Sequence, residues 1–320
     1  MLAATVVGGR RTDARRAQAS ELSLGNAPAL CRAVEAQLDA GAPRIALDLS
    51  DTERADAVGL ATLVEAAARA SQAGARFTVR PGVALHDALL RAQLLEELPL
   101  AGALDPADTV IGLPDLTNDD TGAAFVAHTP RLGLRRPAAD DVDVFVRWAQ
   151  DPLLDQMVGS ELLYHCRHLD ADRRGLQALL RHDPTALTFL VEPLDPPFRT
   201  LGFVRMHGIN LAQQYGFIEV AMTTVESVRH GWGVEAARLF VAWSHDVLGL
   251  RRVEAKVYEY NVLSVNALRR NGFQREGVLR DARVYNGQRW NILVYSLLAA
   301  EMAAQRERER FPYLGFWSRP

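Results

Sequence analysis

Apolar and polar positions along this chain repeat with two different periods, and the switches between them outline a series of strands and helices. Arg44 to Leu49 is an apolar run that gives way at Asp48-Leu49-Ser50-Asp51 to polar residues, which predicts a strand meeting a turn. Leu60, Leu63, Val64 and Ala67 then recur at helical spacing up to the stop signal Gln72-Ala73-Gly74. Arg76 to Val79 predicts a second strand and Leu85 to Leu95 another helix, while Pro28 to Ala40 is a helix closed by Gly41. With Met1 to Gly9 taken as a first strand, the opening third alternates strand and helix and therefore predicts a compact α/β layer.

The pattern resumes after a polar, small-residue stretch from Leu116 to His128, which predicts a linker. Tyr215 to Met222 is apolar and β-prone. Glu235 to Leu248 carries Ala236, Leu239, Phe240, Trp243 and Val247 on a helical period, and Arg252 to Tyr258 alternates Val253, Ala255 and Val257. Between the first strand and the helix lies Arg229-His230-Gly231-Trp232-Gly233-Val234. Two glycines one residue apart let the backbone approach a ligand closely, and a helix starting near Val234 offers unpaired N–H groups and a positive dipole end to an anion. This suits a pyrophosphate, although spacing alone leaves a tight turn without a ligand equally open. The chain is expected to be α/β with two domains: residues 1–115, a linker at 116–128, a second domain at 129–301 and a tail at 302–320.

The second half resembles the GNAT superfamily of acyl-CoA N-acyltransferases, in the branch that acetylates ribosomal-protein N-termini. The resemblance is carried by Arg229-His230-Gly231-Trp232-Gly233-Val234-Glu235-Ala236, Asn261-x-x-Ser264, Gly272-Phe273-x-x-Glu276-Gly277-x-x-Arg280, the closing Val294 to Leu298 and the opening Pro130 to Pro137. It implies a mixed sheet flanked by helices, acetyl-CoA as the acyl donor and an amine acceptor, either a small molecule or a protein N-terminus. It also implies that Arg229, His230, Gly231, Trp232, Gly233 and Val234 cradle the pyrophosphate, that a main-chain N–H from Val220, Ala221 or Met222 binds the thioester oxygen, and that Asn261, Ser264 and Asn266 line the pantetheine arm. Asn261 and Ser264 serve equally well as helix caps.

Glu219 is the candidate base, since several GNAT enzymes carry a glutamate there; an exposed strand glutamate is the competing role. Two positions depart from the family. Val228 stands where Arg or Gln is usual, with Arg229 one place later, and Leu268 stands where many members carry a tyrosine acid. Tyr260, Tyr285 or solvent would then protonate the leaving thiolate, or no acid is needed.

The first hundred residues resemble a STAS domain, the anti-sigma-factor-antagonist fold, through Leu22-Ser23-Leu24-Gly25-Asn26-Ala27-Pro28-Ala29-Leu30, Leu47-Asp48-Leu49-Ser50 and Gly59-Leu60. Regulatory members open the central helix with Asp-Ser-Ser-Gly-Leu and are phosphorylated on the second serine. Here the stretch is Asp56-Ala57-Val58-Gly59-Leu60, and valine has no hydroxyl. A scaffold, a partner-docking surface or a self-association module is expected in place of a phosphoswitch.

Composition narrows the classes further. A net charge of −3 gives no general attraction to nucleic acid or an anionic membrane. Lys256 is the sole lysine among 36 basic residues, a bias that makes arginine uninformative by itself. Cys31 and Cys166 fit no metal-ligand spacing, and His165, Cys166 and His168 are too crowded to form a site, so no metal and a reduced, cytoplasmic protein are expected. The apolar residues Phe311, Tyr313, Leu314, Phe316 and Trp317 after the charged run Arg306 to Arg310 predict a docked tail. Two alternatives to an acyl-CoA transferase remain at this point: a non-catalytic CoA-binding sensor whose first domain docks a partner, and a transferase with a different acyl donor.

Overall fold

The computed structural model describes residues 20–114, 125–168, 172–195, 200–223, 230–311 and 314. The expected strand at Met1 to Gly9, most of the linker, Arg229, and Tyr313, Phe316 and Trp317 of the tail lie outside the described residues.

The first domain contains, in chain order, β1 (Glu21–Leu22), α1 (Ala27–Asp39), β2 (Arg44–Leu49), β3 (Arg54–Ala55), α2 (Ala57–Gln72), β4 (Arg76–Pro81), α3 (Val83–Arg91) and β5 (Thr109–Gly112). Three parallel strands in the order β4-β2-β5 form one sheet, and β1 pairs with β3 in another. The central helix α2 starts where Asp56, itself extended, accepts the N–H groups of Val58 and Gly59 at 3.0 and 2.9 Å. Gly59 is required by a close approach: a Cβ there would sit 2.3 Å from the Leu22 carbonyl oxygen of β1.

The second domain continues with β6 (Ala127–His128), β7 (Leu132–Arg135), α4 (Val142–Ala149), α5 (Pro152–Val158), α6 (Glu161–His168), α7 (Arg173–Arg181), β8 (Leu187–Pro193), β9 (Gly202–Asn210) and β10 (Tyr215–Met222). It closes with α8 (Trp232–Leu248), β11 (Arg252–Tyr258), α9 (Val262–Arg270), β12 (Gln274–Tyr285), β13 (Gln288–Leu298) and α10 (Ala299–Glu309). These strands form one sheet in the order β12-β13-β11-β10-β9-β8-β7-β6, antiparallel except at β10–β11. On one face Val142, Phe145, Leu162, Leu176, Phe203 and Ala221 pack beneath α4 to α7. The opposite face carries α8, with Leu239, Phe240 and Trp243 buried.

The two domains share a core. One contiguous cluster of buried side chains spans both, and within it α2 packs against α8. The seam has a polar anchor, Arg136, whose Nη2 donates to Asp56 Oδ2 at 2.5 Å and to the Arg181 carbonyl at 3.0 Å. Glu21 lies 3.9 Å from Arg136 and 3.4 Å from His182.

At the C-terminus the charged run is less solvated than its composition suggests. Arg306 is buried and grips Asp246 through two hydrogen bonds of 2.7 and 2.9 Å. Asp246 also accepts the Leu314 N–H at 2.6 Å, and Phe311 and Leu314 pack against the core. No described helix is long and apolar enough to cross a membrane.

Candidate active site

The central feature is a parting of neighbouring strands. β10 and β11 pair only through Tyr215, Gly216 and Phe217 against Arg252, Val253 and Glu254. Beyond that, β10 continues along β9 to Met222 and β11 continues along β13 to Tyr258, so the two diverge within an otherwise continuous sheet. Val220, Ala221 and Met222 lie on the diverging part; Ala221 is buried and the other two are half-buried.

At the end of β10 the chain passes through residues 224–229, outside the described set, and re-enters at His230. Gly231 caps α8 in the left-handed region at φ 72°, and a Cβ built on it would meet no atom within 4 Å. Gly233 has the opposite surroundings, since a Cβ there would lie 3.0 Å from Met222 Cγ, so glycine brings α8 tightly onto β10. The exposed His230 ring stacks on Trp232 at 5.2 Å. Val234 follows, half-buried, in the first turn. Arg131, just before β7, donates to the His230 carbonyl at 3.0 Å and lies 3.4 Å from Glu235, which also accepts the Thr129 hydroxyl at 2.5 Å. The acidic group in this first turn is therefore partly neutralised, which preserves the helix end for an anion.

Glu219 occupies the face of β10 that looks toward α4–α7. Burial raises its pKa above the ordinary carboxylate value, and the Ser160 hydroxyl and the Arg205 charge pull it back only in part. Oε1 is cut off from solvent and accepts no hydrogen bond. A carboxyl in this setting is a better proton acceptor than an exposed one.

The other expected contacts fall into two groups. Asn261 caps α9 by accepting the Ser264 N–H at 3.1 Å, and its amide donates to the Met157 carbonyl at 2.9 Å, so both ends of this buried side chain are engaged. Ser264 is half-buried and Asn266 exposed on the same helix. Tyr260 donates its hydroxyl to the Gln156 carbonyl at 2.6 Å, and its ring stacks on Tyr258 and Tyr285 at 5.4 and 4.3 Å. Cys166 faces the core and His168 stacks on Tyr164, so the His165–His168 segment does not converge on a point.

Three residues not picked out from the sequence border the same face. Tyr258 ends β11 with its hydroxyl against Gly159, where a Cβ would be only 1.9 Å away, and Arg283 lies 4.7 Å over its ring. Ser160 sits beside Glu219, and Arg205 lies opposite it on β9. A usable signal existed for Arg205, a lone charge inside the apolar run Phe203-Val204-Arg205-Met206.

Comparison with known proteins agrees with this architecture. Residues 131–274 match the acetyltransferase (GNAT) domain, and residues 18–100 match the Mlab, STAS domain. The second half of the chain is thus an acetyltransferase domain of the GNAT superfamily. Ahead of it, residues 18–100 form a STAS domain, so the chain joins a STAS domain to a GNAT acetyltransferase domain.

Among solved structures, spermidine N-acetyltransferase from Vibrio cholerae, in complex with CoA and spermine, is similar at 18% identity and a TM-score of 0.47, covering 55% of this chain and 99% of that one. RimL, a ribosomal L7/L12 alpha-N-protein acetyltransferase in complex with CoA, is similar at 18% identity and a TM-score of 0.46, covering 54% of this chain and 97% of that one. No curated protein matches.

Proposed function

We propose that this protein transfers an acyl group from an acyl-CoA, with acetyl-CoA as donor, to a primary amine by direct attack in a ternary complex. The observation that carries this reading is the parting of β10 from β11 directly beside the glycine-opened end of α8, with Glu219 on the adjoining face. The open space around Gly231 suits a pyrophosphate held by main-chain N–H groups of His230 to Val234, with Arg229 as a further contact. The gap between the strands suits the pantetheine arm, and the edge of β10 from Val220 to Met222 would supply the N–H that polarises the thioester carbonyl.

Glu219 takes a proton from the incoming ammonium, directly or through a water, and the neutral amine attacks the thioester carbon. The new C–N bond forms as the C–S bond breaks, and the thiolate collects a proton from solvent or from a tyrosine of the Tyr258–Tyr260–Tyr285 group. Holding donor and amine together is the largest contribution of such a site. Ser264 and Asn266 remain proposed contacts along the arm, whereas Asn261 is proposed to act through the position of α9.

Calorimetry with acetyl-CoA, followed by thiol release against a panel of amines, tests this function. Saturable donor binding with amine-dependent thiol release is expected. Donor binding without turnover on any amine would favour a CoA-binding sensor.

A further inference from the structure

Arg205 is 6% exposed, yet its guanidinium makes no hydrogen bond and no ion pair within 4 Å among the described residues, and its Nε is fully enclosed. Burying a guanidinium without an acceptor is costly, so a compensating anion is expected when the site is in its working state. The residue stands in direct cross-strand register with Glu219 on one side and Thr188 of β8 on the other. Its charge is felt by Glu219, by His207 and by Cys166, which places the cation on the sheet face under α6.

A second cation shares the face of Glu219. Lys256 of β11 lies 5.3 Å from the Phe217 ring, on the same face, and makes no ion pair among the described residues. His207 stacks on Phe217, and burial together with Arg205 lowers its pKa. Of the nearby acids, Glu254 pairs with Arg252 at 2.7 Å, and the exposed Glu161, 3.7 Å from His165, is felt by both Glu219 and His207. Such a face leaves Arg205 and Lys256 available to an anionic group.

Resting on the acyltransferase reading above, we infer that the acceptor is an amine with a carboxylate close to it, an amino acid, whose amine meets Glu219 and whose carboxylate meets Arg205. The separation supports a short molecule, because side chains directly opposite on adjacent antiparallel strands start only about 5 Å apart at Cβ. The planar guanidinium fork matches a carboxylate through two parallel N–H···O bonds, a geometry that a lysine does not reproduce. The acceptor carboxylate would also hold Arg205 away from a direct pair with Glu219, leaving the base free to take the proton.

The test compares each α-amino acid with the amine left by removing its carboxylate, at equal concentrations of free amine, using acetyl-CoA and thiol release. Wild type is expected to favour the amino acid of at least one pair by on the order of 100-fold in kcat/KM, a typical penalty for leaving buried polar groups without their partner. Arg205→Gln should erase most of that preference through KM for the amino acid, and Arg205→Lys should restore part of it. Unchanged acetyl-CoA affinity reports that each variant is folded.

Equal use of the paired substrates by wild type, preference for a polyamine or a protein N-terminus, or an equal loss on both substrates in Arg205→Gln would each overturn the inference. If no amine supports thiol release, the acyltransferase reading fails on its own, and calorimetric titration of the amino-acid panel then decides the anion site. Binding by wild type that Arg205→Gln abolishes would sustain that site, and its absence would remove it.

Discussion

Arg136 and Asp56, 80 residues apart in sequence, meet at 2.5 Å across the seam between the two domains. Asp56 caps the central STAS helix, and Arg136 follows the first long strand of the acyltransferase sheet, so one contact fixes the start of α2 against the start of the catalytic fold. The position where regulatory relatives present a phosphorylatable serine is occupied by buried Ala57 and Val58, with Asp56 already held by three N–H donors and Arg136. This supports a structural role for the domain within its own chain.

Arg136→Ala should therefore lower global stability by about 3 kcal/mol, the lower end of the cost of breaking a buried pair, because Asp56 keeps its main-chain donors. Denaturant unfolding of the full chain measures this. A loss below 0.5 kcal/mol, as is usual for surface sites, would show that the seam is held by apolar contact alone.

The same seam predicts sensitivity to acid. Burial by itself would raise the pKa of Glu21, but His182 and Arg136 outweigh it and hold the carboxyl at about 2 against an ordinary 4.5. A depressed carboxylate pKa contributes stability above the unfolded value and loses it as pH falls through the folded one. Stability should accordingly decline between pH 4.5 and about 2, by up to roughly 3 kcal/mol from this group. Glu21→Gln should flatten that limb in pH-dependent unfolding, and an unchanged slope would assign the acid loss elsewhere.

At the glycine loop, Gly231→Val and Gly233→Val should weaken acetyl-CoA binding for different reasons. Valine at 231 opposes a φ of 72° in otherwise open space, whereas valine at 233 collides with Met222 and pushes α8 from β10. Calorimetry on the folded variants should show the loss of most donor affinity in each. Wild-type affinity in the double variant would move the pyrophosphate site away from this loop.

Glu219→Gln should reduce turnover by on the order of 100-fold or more with little effect on acetyl-CoA affinity. Its raised pKa means that the wild-type activity limb for this group lies above the ordinary carboxylate range. The variant should recover as pH rises and the amine loses its proton unaided. Wild-type rates in the variant across the whole pH range would make Glu219 a bystander.

For the tail, Asp246→Ala should destabilise the protein by about 3–5 kcal/mol, since Arg306 would be left buried without its carboxylate. It should also release Phe311 and Leu314 to proteolysis. Retained resistance to protease with unchanged stability would separate the tail from this pair.

Much of the architecture was legible because local patterns coincide with element boundaries. The apolar run Tyr215–Met222 and the alternation at Arg252–Tyr258 are strands at those positions, and Gly231 stands at the start of the helix that follows. The second role of Asn261 was hidden, because its tether to Met157 links residues 104 positions apart. Arg205 was obscured by the abundance of arginine, and its meaning comes from what does not surround it. The Arg136–Asp56 contact carries no local periodicity at all. Long-range polar contacts of this kind depend on how finished elements pack, which the repeat of apolar positions does not encode.

The divergence of β10 from β11 also has a thermodynamic side. A sheet that opens in its middle leaves the main chain of β10 beyond Phe217 and of β11 beyond Glu254 without each other as ladder partners. An extended donor lying in that opening would complete the sheet much as an added strand does. Binding should then slow amide exchange along both bordering strands and raise the unfolding temperature with donor concentration. On the proposed function, the acyl donor would be the member this sheet lacks.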